Sequence, residues 1–266
     1  MKQFLLFLIC VLGLQAHAQQ FNDYFEDATL RIDYTFAGNV HEQHVTLDKL
    51  NRLPRWYGKR QRLTQVPVEG YGQVIVRHHA SGKEIYRQSF STLFQEWLSY
   101  DEAQYTSRSF ENVFLVPMPK DTADITLELY NNRRTIMTTF THQVSPKDIL
   151  IRRIGEQHRT PFVQLLAPKD TSRCIHIAFI AEGYQPSEMS TFIADATLSM
   201  DAIFAHEPFK SLKDRFSIVA VQAPSVDSGT SIPSKGIWKR TALSSHFDTF
   251  YSERYLTTLN LKDLHD

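Results

Sequence analysis

The chain is poor in cysteine, with only Cys10 and Cys174 among its 266 residues. Cys10 lies inside an apolar N-terminal run. Cys174 is then alone in the remainder, which excludes an internal disulfide and a cysteine-built zinc site there. No charge of either sign is in excess: 29 Lys and Arg face 29 Asp and Glu, for a formal net charge of zero. Dedicated nucleic-acid binders carry a basic excess, so that class is set aside. There is no Asn-x-Ser/Thr sequon, no Gly-x-Ser-x-Gly elbow, no phosphate loop and no Gly-x-Gly-x-x-Gly. Beyond Leu14 no stretch is long and apolar enough to cross a bilayer. Hydrophobic residues at 42% and aromatics at 12% exclude general disorder.

The N-terminus reads as an address rather than as structure. Lys2 is a short basic segment, Phe4–Leu14 is the apolar run, and Ala16-His17-Ala18 is a small-residue cleavage site. This is the pattern of a secretory signal peptide over residues 1–18, too short to remain as a spanning helix. The mature chain is expected to begin at Gln19, without a transmembrane segment. Its destination is expected to be the periplasm, the cell surface or the exterior.

The rest divides near residue 145. Leu30-Arg31-Ile32-Asp33-Tyr34-Thr35-Phe36 alternates apolar and polar residues, which predicts a half-buried strand. Shorter extended runs follow at 45–50, 73–76, 125–130 and 136–140, with turn signals such as Ala37-Gly38-Asn39 and Ser81-Gly82 between them. An antiparallel β-sandwich-like domain over 19–145 is expected. Phe90, Leu93, Phe94 and Trp97 are spaced as one helical stripe and predict a packing helix.

After residue 145 the periodicity changes. Cys174–Ala181 is a nearly continuous apolar run, which predicts a strand buried on both faces and an inert, buried thiol. Gly183 supplies a turn and Pro186 suits a first helical position. Met189, Phe192, Ile193, Ala196, Met200, Ile203 and Phe204 form a helical stripe that stops before Pro208. Phe216–Val221 is a second buried strand. Strand, helix, strand predicts a βαβ unit with a parallel pair. The expected class is therefore α+β in two domains, the second an α/β part over 146–266.

In open α/β sheets, ligands collect beyond the carboxyl ends of the strands. Those ends carry Glu182-Gly183-Tyr184 and the hydroxyl-rich loop from Pro224 to Pro233. Glu182, Asp227, Ser228 and Gly229 are thus the candidate edge of a site. The plainer alternative is a solvated loop whose Asp and Ser groups cap nearby backbone. Asp227-Ser228-Gly229-Thr230 also matches the aspartic-protease signature, but that chemistry needs two carboxylates sharing one proton, and the chain has one such motif. His41-Glu42-Gln43-His44 is one residue short of His-Glu-x-x-His, which needs both histidines on one helix face. No residue is assigned a catalytic or metal-binding role on these grounds.

A family resemblance rests on many spaced positions. Ala181-Glu182-Gly183-Tyr184, Glu188-Met189, Phe192 and Asp195-Ala196 are similar to the opening of the catalytic domain of IgA peptidases, which are secreted bacterial zinc metalloendopeptidases. The similarity continues through Glu207-Pro208-Phe209-Lys210, Lys213-Asp214-Arg215-Phe216, Asp227-Ser228-Gly229, Thr241-Ala242-Leu243 and Arg254-Tyr255-Leu256-Thr257-Thr258. Tyr24-Phe25, Leu30–Tyr34, Trp56, Gly58, Phe90–Phe94 and Glu96-Trp97 resemble the domain that precedes it in many members.

The resemblance implies zinc-dependent hydrolysis of a protein or peptide substrate. Immunoglobulin A as that substrate rests on the family label alone. In the family, His-Glu-x-x-His lies beyond the stretch matching Tyr255–Thr258. This sequence contains no such motif, so the zinc ligands and general-base Glu carry over to no residue here. The expectation is a truncated family member, inactive as written and without bound zinc. The alternative is a secreted, non-catalytic binding protein that works through its β-sandwich.

Overall fold

A computed structural model describes residues 20–157, 159–170, 174–253 and 255–266. The expected signal segment, 1–18, lies outside the described residues. The architecture is α+β, with several sheets and few helices.

The first sheet is built around β1 (Phe25–Gly38), which pairs antiparallel with β2 (Gln43–Leu53) and with β5 (Arg108–Pro119). The short β8 (Arg152–Arg153) adds to β2 in parallel, so residues beyond 145 rejoin the first sheet. The second sheet has the order β4-β3-β6-β7, from β3 (Gly72–His78), β4 (Glu84–Phe90), β6 (Ala123–Tyr130) and β7 (Ile136–Val144), antiparallel throughout. Leu30, Ile32, Tyr34 and Phe36 of β1 share one apolar core with Val74, Val76, Ile125, Leu127 and Leu129 of the other sheet. The period-2 side-chain alternation of a strand sends these residues to one face.

Two expectations for this part need correction. The polar face of β1 is not solvated: Arg31 and Asp33 are each only 2% exposed, because residues from the end of the chain cover them. The predicted helix through Phe90 is shorter. Phe90 closes β4, Thr92 caps with its hydroxyl accepting from the Gln95 N–H at 3.3 Å, and α2 runs only over Leu93–Trp97. Phe94 and Trp97 still reach the core. A shorter helix, α1 (Phe21–Tyr24), precedes β1.

The third sheet has the order β10-β11-β9, from β9 (Phe162–Leu166), β10 (Ile175–Ile180) and β11 (Phe216–Val221). β10 and β11 form the expected parallel pair. β9, unread in the sequence, adds antiparallel to the other side of β11. A 3-10 turn at Pro186–Glu188 leads into α3 (Met189–Phe204). Its Phe192 and Ala196 pack on Ala181 and Ala220, and Met200 and Phe204 on Phe216 and Ile218.

The helix covers only one face of this sheet, so β10 is not buried on both sides: Ile175 is 57% exposed. Cys174 is half-buried rather than buried, with Sγ 3.3 Å from His176 Nε2.

From about residue 250 the chain leaves the third sheet and lies on the two-sheet part. Phe250 enters the first core between Tyr100 and Phe110, with ring centroids at 5.3 and 6.1 Å. Helix α4 (Leu261–His265) packs on β5. Arg31 reaches it, donating to the Lys262 carbonyl at 3.2 Å and the Asp266 carboxylate at 2.5 Å.

Candidate functional site at the strand ends

The residues predicted as a site edge meet at the carboxyl ends of β10 and β11. Glu182 immediately follows the buried Ala181. One carboxylate oxygen accepts from the Thr241 hydroxyl at 2.6 Å, the Ser245 N–H at 2.9 Å and the Ser245 hydroxyl. The other accepts from the Leu243 N–H at 2.8 Å. Burial pushes this carboxyl up, but the Ser245 and Thr241 hydroxyls and the Ser245 and Leu243 amides outweigh it and hold its pKa below the usual range.

Asp227 acts on the neighbouring residue of the same segment. It accepts from the Arg240 N–H at 2.8 Å and from the guanidinium at 3.2 and 3.3 Å. The Arg240 side chain and amide keep its carboxyl below the ordinary value. Glu182 and Asp227 do not touch each other. They are joined through the segment 240–245, which both hold.

Ser228 donates to Glu188 at 2.9 Å. The other Glu188 oxygen accepts from the Gln185 N–H at 2.8 Å, closing a capping box at the start of the helical segment. Gly229 donates its N–H to the Gly183 carbonyl at 2.8 Å. Gly183 sits at φ +78°, and a Cβ there would lie 2.6 Å from the Gly229 oxygen, so the close approach of the two loops requires glycine.

The sequence reading missed Ser225 and Ser245. Buried Ser225 Oγ accepts from the N–H groups of Gly183 and Ala242, both at 2.9 Å, and so joins three loops. Its only sequence signal was membership of a hydroxyl-rich loop. Nothing local marked Ser245, whose partner lies 63 positions away.

Chemically, this constellation is a set of carboxylates whose oxygens all accept from the protein's own donors. Among the described residues, no three of His, Cys, Asp or Glu gather where one metal ion could be held. The donor set present therefore does not fit a catalytic zinc, which needs three protein ligands and an open position.

The described residues also contain no helix long and apolar enough to cross a membrane.

Comparison with known families defines the class. Residues 20–141 match the model described as Peptidase M64 N-terminus, and residues 163–266 match the one described as IgA Peptidase M64. The two matches follow each other in order and cover most of the chain, which makes it a metallopeptidase-family protein. It belongs to the IgA peptidase M64 family. Members of that family are generally metal-dependent. No curated protein matches the chain.

Proposed function

We propose that this chain supplies the accessory domain, about 19–145, and the leading part of the catalytic domain, about 146–266, of an exported zinc metallopeptidase. The 266-residue polypeptide by itself does not hydrolyse peptide bonds. One observation carries this reading: the strand-end carboxylates Glu182, Asp227 and Glu188 accept the hydrogen bonds that hold loops 225–229 and 240–245 in place. Glu182, Asp227, Ser228 and Gly229 are then structural supports for a reaction centre whose metal ligands are not among these residues. Export rests on the signal-like pattern over 1–18, and a polypeptide substrate on the family.

Two measurements test the reading. The purified chain is expected to carry no stoichiometric zinc by elemental analysis and to leave casein and quenched fluorogenic peptides intact. One-to-one zinc with chelator-sensitive cleavage overturns it. The nucleotide sequence 3′ of the Asp266 codon is expected to encode His-Glu-x-x-His in one of its frames. Absence of that motif transfers support to the secreted, non-catalytic binding protein.

A further inference from the structure

The uncovered face of the third sheet looks across a cleft of about 1270 Å³ toward the loop that follows β2. Phe162, Ala178 and Val221 form one wall, and Trp56, Tyr57 and Val68 belong to the other. The Tyr57 and His176 rings meet edge to face across it at 5.0 Å. Phe162 is 54% exposed and Val68 79%. Apolar surface of this kind, rimmed by polar groups, marks an interaction site.

The charge lining is one-sided. Arg55, Lys59 and Arg159 contribute to the cleft, and neither Asp nor Glu does. The chain as a whole is neutral, so this bias is local. Lys59 is half-buried: its ammonium donates to the Gln65 and Arg87 carbonyls at 2.8 and 2.7 Å and lies 5.0 Å from the Tyr86 ring centroid. Burial lowers its pKa, and the Glu84 charge offsets that desolvation only in part. Arg159 donates to the Gly155 carbonyl at 2.7 Å. Among the described residues no carboxylate lies within ion-pair distance of Arg55, Lys59 or Arg159; Asp27 pairs directly with neighbouring Arg60 and is felt by Arg55 only at longer range.

We propose that this cleft binds an acidic, extended polypeptide segment, whose carboxylates meet Arg55, Lys59 and Arg159 while its apolar side chains lie against Tyr57, Val68 and Phe162. The mixed apolar and cationic lining matches an acidic peptide with interleaved hydrophobic residues better than a purely anionic polymer. None of the loops 182–185 and 225–245 lines the cleft, so binding here is independent of the peptidase reading and is measured without cleavage.

Fluorescence anisotropy with the purified full chain tests it, using one labelled peptide of alternating Glu with Phe and Leu and a second in which Lys replaces Glu. The acidic peptide is expected to bind saturably, more weakly as salt rises, and the basic one not at all. Arg55→Glu and Arg159→Glu, both at exposed side chains, are expected to weaken binding about tenfold each, equivalent to about 1.4 kcal/mol, with the melting temperature unchanged. Lys59→Met is a third variant, checked for folding by circular dichroism. Equal binding of both peptides, no binding of either, or affinity unchanged in the two arginine variants overturns the proposal. So does tighter binding of a sulfated polysaccharide than of the acidic peptide, which would make the ligand a glycan.

Discussion

Arg31 and Asp33 stand two residues apart on the outward face of β1 and form a two-pronged ion pair, Nε to Oδ1 at 2.7 Å and Nη2 to Oδ2 at 3.2 Å, with almost no exposure. Removing Arg31 strands the Asp33 charge in a dry site, whereas Arg31 without Asp33 keeps the Asp266 carboxylate at 2.5 Å. Arg31→Met is expected to cost about 3–5 kcal/mol, Asp33→Leu less because Arg31 keeps Asp266, and the double variant less than the sum. Urea denaturation of all four proteins checks this. Additive losses would mean that the pair is not coupled.

Glu182 holds segment 241–245 only while it is ionised. Its folded pKa is lowered, so its contribution is complete above the ordinary carboxylate value of about 4.3 and is lost as pH falls through the lower folded value. Glu182→Gln is expected to weaken the segment by about 1–3 kcal/mol at neutral pH. Hydrogen exchange at the Leu243 and Ser245 amides reads this directly. Unchanged protection in the variant would show that the carboxylate is not what holds the segment.

The paired glycines differ in what surrounds them. Both lie at positive φ, but a Cβ on Gly183 meets the Gly229 carbonyl, whereas a Cβ on Gly229 meets open space. Gly229→Ala is expected to cost about 1 kcal/mol from backbone strain alone. Gly183→Ala is expected to cost about 2 kcal/mol or more, because overlap is added to strain. Thermal melts rank the two, and the reverse order would refute the close approach of the loops.

Phe250 ties the late segment to the first core. Phe250→Ala is expected to lose about 3 kcal/mol and to make residues 246–257 the first site of limited proteolysis. Cleavage elsewhere, with that segment still protected, would mean that its other contacts suffice.

His142 carries a pH signature. Its Nε2 lies 2.6 Å from the Tyr34 hydroxyl, its buried Nδ1 makes no well-formed hydrogen bond among the described residues, and burial lowers its pKa against the opposing pull of the Gln143 backbone. The folded state therefore resists protonation: stability is full above the unfolded value of about 6.5 and falls as pH drops below it. His142→Phe is expected to flatten the denaturation midpoint between pH 7 and 5, less so below, where carboxylates titrate. His176 and His265 are lowered as well, so some slope remains.

Much of the fold was legible because local pattern and final environment agree. The alternation of Leu30–Phe36 is the inner face of β1, and the stripe of Phe192, Ala196, Met200 and Phe204 is the face α3 lays on its sheet. β4, β5, β8 and β9 went unread. β5 alternates only from Phe110 onward and ends among Pro117 and Pro119, and β9 is five residues of mixed character whose partner lies more than fifty positions away. At the site, Glu182 and Asp227 were visible as residues at strand ends. Their partners were not, because Thr241, Ser245 and Arg240 reach them only through the fold.

The order of residues alone determined the strand–helix–strand succession, the parallel pair and the strand-end loops, since each depends on spacing within a few tens of positions, and the family, which rests on many positions agreeing in order along the chain. The folded arrangement decided the rest. Arg31 and Asp33 are buried because a segment 235 positions from Arg31 lies over them. Glu182 and Asp227 are spent because the chain returns past them. One face of the third sheet stands open because α3 covers only the other. Burial and charge pairing are properties of neighbours in space, which sequence distance does not encode.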